Sequence, residues 1–166
     1  ITIQQIRENP EIRTYIERAD ISLKAMGYTE HSFAHVGIVS KVAGDMLRDL
    51  GHDEHTVELA RIAGWMHDIG NVVNRSDHAQ SGAIMAFRIL DKMGMPAEDV
   101  AAIIAAIGNH DEATAWPVSA VSAALIIADK TDVRRSRVRN RNNTESFDIH
   151  DRVNYAVLNN DKVLDV

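Results

Sequence analysis

The chain has 166 residues, 45% of them apolar and only 5% aromatic, with no cysteine and a formal charge of −6. That length suits one domain with its own core, and the missing cysteine excludes disulfides, thiolate metal sites and cysteine nucleophiles. The acidic balance opposes bulk attraction of nucleic acid, and no stretch reaches the roughly 18 apolar residues of a membrane span.

Glycine and proline divide the sequence into helices, and the alanine-rich, aromatic-poor composition suits their close packing. The expected class is all-α, a bundle of about six main helices in a single domain. A first helix is expected over 10–26, ended by Gly27. Thr29 is read as the cap of a second helix running to about Leu50. Asp53 caps a third over 54–68, and Ser76 or Asp77 opens a fourth over 77–93. Pro96 starts a fifth that ends near Gly108, and Pro117 a sixth that ends near Thr131. Residues 134–147 are polar and arginine-rich, and 149–166 read as a short helix or a hairpin around Asn159, Asn160 and Asp161. Ile1 to Pro10 do not resemble a signal peptide, so a soluble, cytoplasmic protein is expected. No closing signal marks the C-terminus, which leaves a fragment of a longer chain as one reading.

Six residues stand out within this frame: His35, His67, Asp68, His78, His110 and Asp129. Each lies on or after an apolar helical stripe, such as Ile38, Val39, Val42 and Met46 for His35, or Ile103, Ala106 and Ile107 for His110. They are therefore expected to point inward, where an unpaired imidazole or carboxylate is costly. A lone core histidine is ordinarily a hydrogen-bonded one. Several converging with carboxylates form the donor set for one or two divalent ions. The mixed nitrogen and oxygen set suits Mn, Fe, Co, Ni or Mg, whereas Zn usually takes fewer oxygens. In an up-and-down bundle Asp129 falls at the wrong end, so the loop 111–117 is expected to carry the chain back across it. Of three His-Asp dipeptides, His52-Asp53 reads as a turn and cap. In His110-Asp111 the Asp is expected to face water. Met46, Met66, Met85 and Met93 read as ordinary core.

The ordered series Gly64-Trp65-Met66-His67-Asp68-Ile69-Gly70, with His35-Val36 before it and His78, Gly108-Asn109-His110 and Ala128-Asp129-Lys130 after it, resembles the HD-domain metal-dependent phosphohydrolase superfamily over about 30–132. Residues 133–166 form a C-terminal extension. The resemblance implies an all-helical fold and two metals, the first held by His35, His67, Asp68 and Asp129, the second by Asp68, His78 and His110. It further implies a metal-activated water that attacks a phosphate mono- or diester, often of a nucleotide. Where many members carry lysine after the His-Asp-Ile-Gly run, this chain has Asn71; Arg75 and Lys130 are the candidate replacements. His31, one turn before His35, is a candidate catalytic group or a partner of a ligand, and Asp132 or Asp111 a candidate proton donor.

Five arginines fall between Arg134 and Arg141; with Lys130 and the single Asp132 they give 130–141 a net charge of +5. Arg134 and Arg135 are the candidate substrate-binding pair of a basic lip, against the alternative of a solvated loop. RNA or DNA binding is disfavoured, because the run has no stacking aromatics. Trp116 could stack on a base, with packing the commoner role. The expected substrate is a small phosphorylated molecule, possible oligomers being left open. Two alternatives stand beside hydrolysis: a di-iron oxygenase on the same fold, and a non-catalytic nucleotide-binding regulatory module.

Overall fold

The computed structural model describes residues 1–139, 141–142 and 144–157, and every regular element among them is helical. The elements are α1 (Ile3–Glu8), α2 (Pro10–Ala25), α3 (Phe33–Asp49), α4 (Glu54–Met66), α5 (His78–Lys92), α6 (Ala97–Gly108), α7 (Ala120–Thr131) and α8 (Ile149–Ala156). Short 3-10 turns lie at Ile69–Val72, Arg135–Arg137 and Thr144–Ser146.

Local chemistry explains most of these boundaries. Asn9 starts α2 by accepting hydrogen bonds from Glu11 N and Ile12 N, with Pro10 in the first turn where its missing N–H costs nothing. Asp53 caps α4 through Thr56 N at 3.0 Å. Gly27, Gly51 and Gly94 end α2, α3 and α5 with positive φ.

Elsewhere the structure corrects the expected ends. Ser32, not Thr29, caps α3, with its Oγ accepting from Ala34 N; Thr29 is buried and lends its carbonyl to His31. Ser119, not Pro117, caps α7 through Ser122 N at 3.1 Å. The third helix stops at Met66, so that Asp68 opens a 3-10 turn instead of lying within the helix. Six residues are too few to show a helical period, which hid α1; Thr2 and Gln5 cap it reciprocally and Ile6 is fully buried. Residues 149–156 form the expected short helix, while the hairpin around Asn159–Asp161 lies outside the described residues.

The core is one cluster in which α3 packs on α4 and α7, α4 on α6 and α7, and α5 on α6. Ile12, Ile16, Ile62, Met66, Ile69, Leu90, Ile103, Ile107 and Leu125 are buried within it, and Met46, Met85 and Met93 pack against its edge. Close approach depends on glycine. A Cβ at Gly64 would stand 2.8 Å from Ser40 Cα across the α3–α4 contact, and one at Gly70 would stand 2.0 Å from His78 O. Among the described residues no helix is long and apolar enough to cross a membrane.

Opposite outcomes are expected for two alanine substitutions across the same helix pair. Gly64→Ala should cost about 1–3 kcal/mol through overpacking. Gly37→Ala, whose Cβ would meet Trp65 Cζ3 at an ordinary 3.7 Å, should gain about 0.5–1 kcal/mol from helix propensity. Urea unfolding followed by circular dichroism measures both.

Candidate metal centre

The six singled-out residues sit at helix ends, not mid-helix, and the ends meet. His35 is in the first turn of α3, His67 is the C-cap of α4, Asp68 opens the following 3-10 turn and His78 is the first residue of α5. His110 lies just beyond α6, and Asp129 is in the last turn of α7. The loop after α6 does not cross the bundle as expected. Trp116 N donates to Asn109 O at 3.2 Å and Ser122 Oγ to Trp116 O at 3.2 Å, so the two ends of the loop lie side by side. The distance to Asp129 is covered by α7 itself, about 10 Å along its axis from Ser122 at the helical rise.

The donor atoms fall into two groups joined by one carboxylate. His35 Nε2 and His67 Nε2 are 3.3 Å apart, and each faces Asp129 Oδ1, at 3.3 and 3.6 Å. Asp68 Oδ2 closes this group at 3.5 Å from His35 and 3.2 Å from His67. The other oxygen of Asp68, Oδ1, is 3.6 Å from His78 Nε2 and 3.9 Å from His110 Nε2, and those two nitrogens are 3.2 Å apart.

Each imidazole is turned by a hydrogen bond on its far side. Nδ1 of His67, His78 and His110 meets the carbonyl three residues earlier: Gly64 O at 2.9 Å, Arg75 O at 3.0 Å and Ile107 O at 2.6 Å. Nδ1 of His35 instead meets Asp132 Oδ2 at 2.8 Å. A nitrogen that donates to a carbonyl leaves Nε2 with its lone pair aimed at the cluster. Two such lone pairs facing each other at 3.2 Å, as in His78 and His110, are favourable only with a proton or cation between them.

Electrostatics point the same way. Burial opposes charge on His35 and His67, yet the surrounding carboxylates hold His35 up to about 9 (Asp129, Asp132 and Asp68) and His67 up to about 10 (Asp68 and Asp129). Burial pushes Asp68 and Asp129 towards the neutral form, but the imidazoles hold both well below the usual carboxylate range. The cluster therefore calls for positive charge at its centre. Burial lowers His110 to about 4 and His31 to about 3, and lowers His78 as well, which leaves these three neutral. Asp68 Oδ2 is buried without a hydrogen-bond partner, a costly state for a carboxylate oxygen unless a cation meets it. The donor set thus fits divalent metal. His35, His67 and Asp129 form one group able to hold an ion, and His67, Asp68 and His110 another, with His78 beside the second.

The remaining sequence candidates divide sharply. A cavity of about 340 Å³ opens onto the cluster and is lined by His31, Arg75, Asp111, Lys130 and Arg137, among others. His31 Nε2 is 4.0 Å from Asp68 Oδ2. Arg75 lies over the Tyr28 ring, and Lys130 pairs with Asp129 at 2.9 Å. Arg134 and Arg135, the expected substrate-binding pair, lie outside that lining and are engaged with protein groups. Arg134 forks onto Asp132 at 2.6 and 3.0 Å and reaches Glu30 at 3.1 Å, while Arg135 stacks on Tyr155 at 4.5 Å. Arg139 pairs with Asp20, and Arg141 donates to Val138 O and Ser136 O. Trp116 is 69% exposed and also stands away from the cavity lining. Asp132 also lines the cavity, but it is buried between His35 and Arg134, whose bonds hold its carboxyl well below the usual carboxylate range.

Asp132 as the holder of His35 and Asn71 as the holder of Asp68 were not legible in that role. Asn71 Nδ2 donates to Asp68 Oδ1 at 2.9 Å and to Asp68 O at 3.0 Å, and Arg75 donates to Asn71 Oδ1 at 3.4 Å. The spacing of Asn71, three residues after Asp68 in a tight turn, was the available signal; Asp132 gave none beyond its charge.

Imidazoles and carboxylates gathered at the ends of five helix-bearing segments define an all-helical metal-binding domain. The HD domain model matches residues 32–142, and the chain belongs to that family. Its fold is similar to the crystal structure of a predicted HD superfamily hydrolase from an uncultured Thermotogales bacterium, with a TM-score of 0.58 and 26% identity, covering 79% of this chain and 73% of that one. It is also 24% identical over 168 residues to an uncharacterized protein of Methanocaldococcus jannaschii, MJ1020, a match covering 88% of this chain and 64% of that protein's length. The chain thus spans a little under two thirds of that relative.

Asp132→Ala removes the carboxylate that meets Nδ1 of His35. Metal affinity is expected to fall by about 10–100-fold, the usual cost of losing a ligand's supporting partner, in chelator-competition titrations.

Proposed function

We propose that the chain is a metal-dependent phosphohydrolase that cleaves a phosphate mono- or diester, nucleotide-like in size, with a water as nucleophile. The observation that carries this reading is the single carboxylate of Asp68 turned to two nitrogen groups at once, Oδ2 to His35 and His67 and Oδ1 to His78 and His110. Membership of the HD family and likeness to a predicted hydrolase support metal-dependent hydrolysis generally. Divalent ions, which His35, His67, Asp68, His78, His110 and Asp129 would hold, would supply Lewis acidity, lower the pKa of a water and neutralise phosphoryl charge.

The protein's own groups do the rest. Asp68 fixes the spacing between the two donor groups and stays ionised. Arg75, at the cavity wall, presents a guanidinium to a phosphoryl oxygen, braced by Asn71 behind it and Tyr28 beneath. Lys130 holds Asp129 and borders the same space. His31, its Nδ1 occupied by Thr29 O, aims a neutral Nε2 past Asp68 into the cavity, where it can accept a hydrogen bond from the attacking water. Asp111 also lines the cavity and is the proposed partner of the leaving group.

Elemental analysis beside a phosphatase and phosphodiesterase screen with Mn²⁺, Co²⁺, Ni²⁺ and Mg²⁺ tests the reading. One or two ions per chain with metal-dependent phosphate release are expected. Bound iron without hydrolysis would redirect the assignment to oxygen chemistry. Asp68→Ala should abolish turnover and lower bound metal while leaving the helical circular-dichroism spectrum largely intact; a variant that keeps most activity would sink the mechanism.

A further inference from the structure

The walls of the cavity carry a charge pattern that bears on its substrate. Among the described residues they present six carboxylates against Arg75, Lys130 and Arg137, a net of −3. These cations are unequally free. Arg137 is only 7% exposed, and it donates to Asp132 O at 2.7 Å and Glu30 O at 3.0 Å. Lys130 is paired with Asp129 at 2.9 Å and with Glu112 at 3.5 Å. Arg75 alone has no carboxylate partner within ion-pair distance among the described residues, its neighbours being Asn71 Oδ1 and the Tyr28 ring.

The part of the lining contributed by the loop after α6 and by α8 is acidic and partly apolar. Glu112, in the loop after α6, meets His150 of α8 at 3.2 Å, and Asp148 stands at the start of that helix. Between them Ile149 and Val153, 67% and 48% exposed, border the opening.

We propose that this site selects substrates carrying a single phosphoryl group esterified to an uncharged or cationic organic group, and discriminates against di- and triphosphates, with Glu112 setting that discrimination. The proposal rests on the metal-centre reading above. Two divalent ions would turn the net of −3 into about +1, enough to favour one phosphoryl dianion. Each further phosphate brings more negative charge towards Glu112 and Asp148 with no uncommitted cation beyond Arg75, and like charges brought together within a Debye length repel. The organic group instead meets Ile149 and Val153.

The test compares one nucleoside as its mono-, di- and triphosphate at fixed free Mn²⁺, in the wild type, Glu112→Gln and Glu112→Lys. Calorimetric titrations with inorganic phosphate and with pyrophosphate read the same selectivity without turnover. From monophosphate to diphosphate, kcat/KM is expected to fall about tenfold or more, as like-charge juxtaposition predicts. Phosphate should bind more tightly than pyrophosphate. Glu112→Gln should narrow both gaps and Glu112→Lys should narrow them further. A diphosphate cleaved as well as the monophosphate, pyrophosphate bound as tightly as phosphate, or gaps unmoved by both variants would overturn the proposal. No turnover of any ester together with phosphate-selective binding would retain the selectivity and defeat the hydrolase reading.

Discussion

A buried carboxylate shared between two pairs of imidazoles is the constraint on which this structure turns. Asp68 is 5% exposed, and a charge taken that far out of water is affordable only beside compensating charge. Its oxygens must therefore face cationic or metal-bearing neighbours on both sides, and those neighbours come from helices far apart in sequence. Meeting that requirement explains the backbone around it. Gly70 leaves room for the carbonyl of His78, which a Cβ would approach to 2.0 Å, so the turn after Asp68 can touch the start of α5. Gly64 likewise lets α4 lie against α3, which brings His67 beside His35. The glycines on either side of the His-Asp pair are thus packing requirements of the site as much as of the fold.

Helix ends suit such a centre for a reason beyond geometry. The last carbonyls of a helix have no intrahelical partner, and His67 and His110, following α4 and α6, each take one with Nδ1. A carbonyl at each helix end is engaged and two rings are aimed in the same stroke. His35 has no such carbonyl, because it lies in the first turn of α3, where Ser32 O already accepts from Val36 N. A side chain must do the work, and Asp132 supplies it from the far end of the domain. An ionised Asp132 in turn has to be neutralised, which is what Arg134 and Arg137 accomplish from the segment that follows. Arg134 and Arg137, from the arginine run, are therefore extensions of the metal centre's support.

How much of this was legible in the sequence follows the range of the interactions. Helix extents set by local caps and periodicity, as at Pro10, Asp53 and Gly94, could be read to within a residue or two. So could the inward placement of His35, His67, His78 and His110, which apolar stripes mark. What depended on distant partners could not be read. Nothing near Arg134 says that its guanidinium folds back on Asp132 and Glu30. Nothing near Pro117 says that the loop closes on Asn109 and hands the crossing to α7. The position of Asp129 looked anomalous only because an up-and-down bundle was assumed, and α7 instead runs from beside the centre into it.

The division between support and selectivity falls along the chain. The family match ends at residue 142, and within it lie every candidate metal ligand and the arginines that brace His35. Beyond it, α8 is fastened to the core through Asn154, which accepts from Arg134 N at 2.9 Å, and through Tyr155 under Arg135. The same arginine segment thus fixes His35 on one side and the outer cavity wall on the other. The donor atoms thus come from helix ends deep in the bundle, while the outer cavity wall is shared between the loop after α6, through Glu112, and the short helix appended to the bundle.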